Sequence, residues 1–323
     1  MKRQIIHPAI VKTCLFLLFI FLSFAVFLSD SLNAMNWPSA DAVLVQNFGA
    51  NSGGRPVLGM VFNGGTDVFA VDSGEIIFSR GRDVQTEFES SRLPSPLGAW
   101  TAIDHGDGLI SIYSRYSDQF QETNDSMSHE NSSTVPATIF PAHIDKEQVI
   151  ATSGITGWSS QDGFYFLVFD RRERRWINPA MIVTPRQETR PPQILSVELR
   201  NAQGNIVQSR NLTQGRYAVL VTVTGGMRTG QRASNVVQYA PHRIVCSVNG
   251  AEVGSLNFEA VSARDGIMMV SRNSLVPVKQ VYANHPAFEA AEVFLTRGQV
   301  TLEVIVQDIS GASHNVSSRL IVN

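Results

Sequence analysis

Cysteine is almost missing from this 323-residue chain, which has two, Cys14 and Cys246. Cys14 lies in an apolar leader, so removal of that leader leaves one thiol and no disulfide framework. Cys246 stands in the alternating run 243–248 and reads as a buried, unreactive side chain. No cysteine stands at the end of the apolar run, which speaks against a lipid-anchored lipoprotein. An excess of one charge is missing too: 26 Lys and Arg against 28 Asp and Glu give −2, and nothing in that balance recommends nucleic acid as a partner. Long helical periodicity bounded by caps is absent between 38 and 186, which points to a half that is nearly all β.

What is present begins with an export signal. Lys2, Arg3 and Lys12 precede an apolar run from 14 to 28 broken only by Ser23, and Leu32-Asn33-Ala34 ends in the small residue that a signal peptidase needs. The run is shorter than the ~20 residues of a membrane span. Residues 1–34 therefore read as a signal peptide, Met35 as the first mature residue, and the periplasm or cell envelope as the destination. The alternative is an uncleaved anchor, the one route by which this chain would touch a membrane. Loss of three cations and Asp30 takes the net charge from −2 to −4.

Short apolar runs broken by glycine follow at 58–62, 68–71 and 75–78, then at 148–151, 164–169 and 176–177. In the middle, two alternating runs flank His105-Gly-Asp-Gly108, a Gly-rich connection that predicts a tight hairpin over 98–116. Residues 117–139 are polar and without period, a long surface loop. A charged, Pro-bearing connector at 184–192 marks a domain boundary at 186/187. Beyond it about eight short runs recur, at 194–199, 206–207, 217–223, 243–248, 256–258, 268–270, 300–306 and 319–322, a spacing that predicts a β-sandwich of immunoglobulin-like type. The fold class expected is all-β throughout.

Five segments resemble, in order and spacing, the lysostaphin-type (LytM-like) zinc endopeptidases that cut peptidoglycan cross-links. They are Thr66-Asp-Val-Phe-Ala-Val-Asp-Ser-Gly-Glu-Ile76, Ala102-Ile-Asp-His-Gly-Asp-Gly108, Ile112-Tyr-Ser-Arg-Tyr116, Gln148 through Gly157, and Ile177-Asn-Pro179. The resemblance covers roughly 47–182 and implies a sheet-groove domain of the duplicated-hybrid-motif type over 35–186, with the sandwich over 187–323. In that family a His and an Asp four residues apart and the second His of a His-Xaa-His motif hold zinc, whose bound water attacks the peptide carbonyl. A further His after the hairpin tyrosine and the first His of His-Xaa-His serve that water and the oxyanion.

Carried over residue by residue, these positions fall on Arg55, Gly59, Arg115 and, within about one residue, Phe164-Tyr-Phe166. Arginine and phenylalanine offer no lone pair to a metal. His105, with Gly106 and Gly108, belongs to the hairpin turn and reads as structural. His129 and His143 belong to the polar loop or its border. His242, His285 and His314 are scattered, with no two at a spacing that shares one face. Trp100, Tyr113, Arg115, Trp158, Phe164 and Phe166 are the candidate lining of a surviving groove, with Arg55 and Arg115 suited to carboxylates. Arg171-Arg-Glu-Arg-Arg175 reads as a solvated turn, with an anionic wall polymer as its functional alternative.

The expectation is thus a pseudoenzyme without cofactor that binds peptidoglycan or regulates a cell-wall hydrolase. Two alternatives stand beside it: an active zinc-dependent endopeptidase with non-standard ligands, and a structural envelope protein.

Overall fold

Alternation of apolar side chains, interrupted every few residues by glycine and turn-forming residues, leaves strands as the main way to bury this sequence. The computed structural model describes residues 34–65, 67–80, 95–117, 142–184, 189–207, 211–227 and 239–323. The expected leader, apart from Ala34, and the expected polar loop, apart from Ser117, lie outside the described residues. The fold is all-β, as the sequence predicts. Among the described residues the one α-helix is α1, Val278–Tyr282, and no helix is long and apolar enough to cross a membrane.

The first-half strands that position the site are β1 (Val43–Gln46), β2 (Gly59–Asn63), β3 (Gly74–Arg80), β4 (Ala99–Asp104), β5 (Leu109–Tyr116), β6 (Gly163–Asp170) and β7 (Arg175–Ile177). They pair antiparallel in the order β3-β4-β5-β6. Beyond β6 the sheet forks. Residues 163–167 of β6 pair with β2, which pairs with β1, whereas residues 168–170 pair with β7.

In the second half β8 (Thr189–Asn201), β9 (Gly215–Met227) and β13 (Phe288–Leu295) build one sheet. The strands β10 (Arg243–Val248), β11 (Ala251–Arg264), β12 (Ile267–Arg272), β14 (Gly298–Gln307) and β15 (Ser313–Val322) build the other. One core lies between them, with Val219, Val221 and Ala291 from the first sheet and Ile244, Leu256, Val304 and Val306 from the second. Cys246 is buried in that core, which pushes its thiol up to about 12 and leaves it without thiolate character.

The proline-bearing connector is shorter than its composition suggests. β8 begins at Thr189, and its register shifts between Arg190 and Gln193, so Pro191 and Pro192 sit where the ladder asks for no amide donor. Nor does the connector carry the main link between the halves, because residues 36–323 form one compact unit. β7 pairs with β11, Trp176 opposite Val261, which runs one sheet through both halves. Asn178 Nδ2 donates to the Phe258 carbonyl at 3.0 Å, and Asn51 Nδ2 to the carbonyls of Tyr282 (3.1 Å) and Ala287 (3.2 Å). Phe48, a first-half residue, belongs to the second-half core. Buried amides that are fully paired in this way fix register, because breaking one leaves a desolvated donor.

Candidate functional site

Directly opposed residues on antiparallel strands point to the same side, so register alone sorts the side chains of β2 to β6 into two faces. One row runs Thr101, Tyr113, Phe166, Met60. All four are fully buried. Tyr113 packs on Phe166 with ring centres 5.2 Å apart, and Phe62 stacks on Phe164 at 4.6 Å. The Tyr113 hydroxyl accepts from the Val71 amide at 2.8 Å, and burial pushes its ionisation far above the ordinary range. Tyr113, Phe164 and Phe166, three residues of the candidate groove, are therefore sealed in the core. The cause is the strand period: a run as uniformly apolar as Phe-Tyr-Phe-Leu-Val-Phe hides which residues face which side.

The other face carries the row Trp100, Ser114, Tyr165, Val61, flanked by Ala102, Ile112, Leu167 and Gly59. Phe78 of β3 stacks on Trp100 with ring centres 4.2 Å apart. Phe78 is 41% exposed. Arg115 joins this face through a β-bulge: the pairing of β4 and β5 slips between Ala99 and Trp100, and Arg115 takes φ +68°. Bulges of this kind re-aim a side chain. Its guanidinium lies over the Tyr165 ring, 5.0 Å from the centre, a cation–π contact. Its Nε is buried with no hydrogen-bond partner, and its amide donates to the Leu97 carbonyl at 2.9 Å. Burial lowers the guanidinium pKa, partly offset by Tyr165. Tyr165 is itself pushed up to about 12 by burial, and its hydroxyl accepts from the Leu58 amide at 2.8 Å.

Of the five positions carried over from the family, register brings Arg115 to the open face and places Gly59 directly opposite Leu167. Tyr165 and Leu167, one residue on from Phe164 and Phe166, occupy the i, i+2 positions on this side. Arg55 is exposed on the hairpin of 51–56. These residues do not fit a zinc ion. Arg115 and Leu167 have no lone pair to give, and a Cβ at Gly59 would stand 2.1 Å from the Phe166 carbonyl oxygen, so an Asp has no room there without a backbone shift. Among the described residues no group of three or more His, Cys, Asp or Glu is placed to hold a metal.

Trp158 is 69% exposed on a loop tied to the hairpin, its amide bonding the Pro96 carbonyl at 3.2 Å. The same loop's Thr156 Oγ1 accepts from the Ala99 amide and donates to the Tyr116 carbonyl. His105 sits in the turn it was read from. Its Nδ1 donates to the Ser73 carbonyl at 2.8 Å, leaving Nε2 to accept from Ser111 Oγ at 2.7 Å. Gly106 and Gly108 supply φ of +76° and +87°. The arginine turn closes on this one: Arg171 pairs with Asp104 (3.0 Å), Arg172 with Asp107 (3.2 Å) and Arg175 with Asp170 (3.6 Å). Those acids neutralise three of the four arginines, which removes most of an anion-binding patch. His143 lies apart, on the sheet's edge between Glu75 and Asp145. Sequence reasoning missed Phe78 and Tyr165. The signal for Tyr165 was already present as the central residue of Phe164-Tyr-Phe166.

Comparison with known proteins gives a family model without a functional description that matches residues 191–323. No curated protein matches the chain. Among solved structures, the chain is similar to the catalytic domain of the prophage-encoded M23 protein EnpA from Enterococcus faecalis, at 14% identity and TM-score 0.32, covering 45% of this chain and 95% of that one. A zinc-containing peptidase from Vibrio cholerae gives 18% identity and TM-score 0.31, covering 46% of this chain and 39% of that one. The antimicrobial peptidase lysostaphin from Staphylococcus simulans gives 15% identity and TM-score 0.26, covering 85% and 88%.

Proposed function

We propose that the protein is an exported, non-catalytic cell-envelope component that binds peptidoglycan or regulates a wall hydrolase. In this reading residues 35–186 are a LytM-like domain that has lost its metal site, and residues 187–323 are an immunoglobulin-like module. The observation that carries it is the contact of Arg115 with Tyr165. On the sequence resemblance, Arg115 stands where the family keeps one of the histidines that serve the attacking water, and Tyr165 is one residue on from Phe164, where it keeps the other. A permanently charged guanidinium over a protonated phenol can neither hold a metal nor take a proton at neutral pH. The tight approach at Gly59 supports the same conclusion at a ligand position. The second module is supported by two sheets around one core and by the Tyr217 hydroxyl, which donates to the Thr213 carbonyl at 2.8 Å, the corner bond such sandwiches use.

The test is release of dye-labelled fragments from peptidoglycan sacculi by the purified protein, with and without zinc, with pelleted protein measured in the same tube. No release with co-pelleting is the expected result. Zinc-dependent release would overturn the reading and restore the endopeptidase alternative. Absence of both release and pelleting would move the assignment to a protein partner or a structural role.

A further inference from the structure

We propose that Arg115 anchors a carboxylate-binding site on the open face of the β3-β4-β5-β6 sheet, which takes the carboxyl end of a short extended peptide with its neighbouring apolar group against Trp100 and Phe78. The inference rests on the binding reading above and names what the face would bind.

Three separate observations converge on Arg115. Its backbone is held at φ +68° by a bulge, a conformation that costs free energy in any residue but glycine and persists only where the surroundings impose it. Its side chain is drawn down onto the sheet, over Tyr165, instead of running out to solvent. Its Nε is buried with no acceptor, a donor stripped of water and given nothing in return. Among the described residues no acid contributes to its ionisation, which responds to burial and to Tyr165. Elsewhere arginines are paired with acids: the partly buried Arg200 and Arg272 both bond Glu289, and the exposed Arg171, Arg172 and Arg175 each have an aspartate. Among the described residues a half-buried guanidinium with an orphaned Nε–H and no anion beside it is unusual, and the partner it fits is an acceptor with two coplanar oxygens.

Charge and shape choose among anions. A phosphate-bearing polymer would be met by several cations, and the nearby arginine turn has spent three of its four on aspartates. One planar cation on the same side of the sheet as a stacked aromatic pair complements a single carboxylate adjoining an apolar group. The Phe78–Trp100 stack offers that apolar surface on the same side of the sheet.

The experiment follows the Arg115 Nε–H and Trp100 indole signals by NMR while the purified protein is titrated with acetyl-trialanine, its C-terminal amide, or inorganic phosphate. The acid should shift both signals and bind roughly ten-fold or more tightly than the amide, the scale of a charge-assisted hydrogen bond. Arg115→Gly, which suits the positive φ and so keeps the fold, should abolish that preference, and Arg115→Lys should retain a fraction of it. Equal binding of acid and amide, no binding of either, an unchanged preference in Arg115→Gly, or tighter binding of phosphate would each overturn the proposal. Retention on sacculi that survives Arg115→Gly would overturn this site and leave the wall-binding reading standing. Loss of sacculus retention by the unsubstituted protein would count against that reading instead.

Discussion

The two faces of the β2 to β6 sheet are made by the same strands, residue by alternate residue, and they differ in how completely they are packed. On the closed face Thr101, Tyr113, Phe166 and Met60 are fully buried, and the one phenol is satisfied by a backbone amide. On the other face Phe78 is exposed, Arg115 is strained and unpaired at Nε, and Tyr165 carries a cation above its ring. The closed face is packed throughout, with the buried Trp37 indole against Phe62 as its one orphaned donor among the described residues, whereas the open face combines a strained backbone and an orphaned donor at a single residue, Arg115. Local violations that a fold tolerates tend to mark function, because the stability they cost must be supplied elsewhere.

The sharpest way to break this comparison is to cut into the closed face. Phe166→Ala removes a ring packed against Tyr113 and should cost about 3–5 kcal/mol in urea unfolding, since a cavity under a sheet cannot collapse. A cost below about 1 kcal/mol would mean that the two faces are equally plastic and that burial does not separate them. Next in size is the join between halves. Asn51→Ala deletes two bonds to the carbonyls of Tyr282 and Ala287 and should cost about 1–3 kcal/mol in the same measurement. A negligible cost would show that the closed-face core, without help from the second half, holds the first half in place.

Much of this architecture was legible in the sequence because hairpins announce themselves. His105-Gly-Asp-Gly108 between alternating runs defines β4, β5 and their register, and Gly106 and Gly108 have the positive φ that such a turn needs. The faces were not legible on β6. Its run is apolar at every step from Phe164 to Phe169, so period two cannot be read, and the candidate groove took in the buried Phe164 and Phe166 while Tyr165 went unweighted. The join between the halves was also invisible. It depends on single amides such as Asn51 and Asn178 and on a three-residue strand, β7, whose partner lies more than eighty residues away in sequence. The Arg115 bulge has no signal in composition, since positive φ at an arginine is imposed by the ladder around it.

A pH series sharpens the comparison at the sheet's turn end. His105 is neutral in the fold, donating through Nδ1 and accepting at Nε2, and burial holds its pKa below the ordinary 6.5. The unfolded chain therefore takes up a proton first as pH falls, so stability should drop below about pH 6.5 and go on falling until the folded state also protonates. His105→Gln should flatten that slope, and denaturant midpoints between pH 7 and 5 measure it. An unchanged slope would assign the acid sensitivity to other groups.

The smallest effect is expected where the strain is. Arg115→Gly removes a cation–π contact worth about 0.5–1 kcal/mol. It also frees the unfolded chain by roughly the same amount, which again lowers stability. Against these stand relief of a left-handed backbone, worth about 1–2 kcal/mol, and removal of a buried donor that has no acceptor. The two gains match or exceed the two losses, so the unfolding midpoint should hold or rise slightly although the residue is half-buried. A loss of about 3 kcal/mol would mean that Arg115 belongs to the packing of the first half after all. A small change, set beside the large one at Phe166, would mean that Arg115 is not needed to hold the protein together.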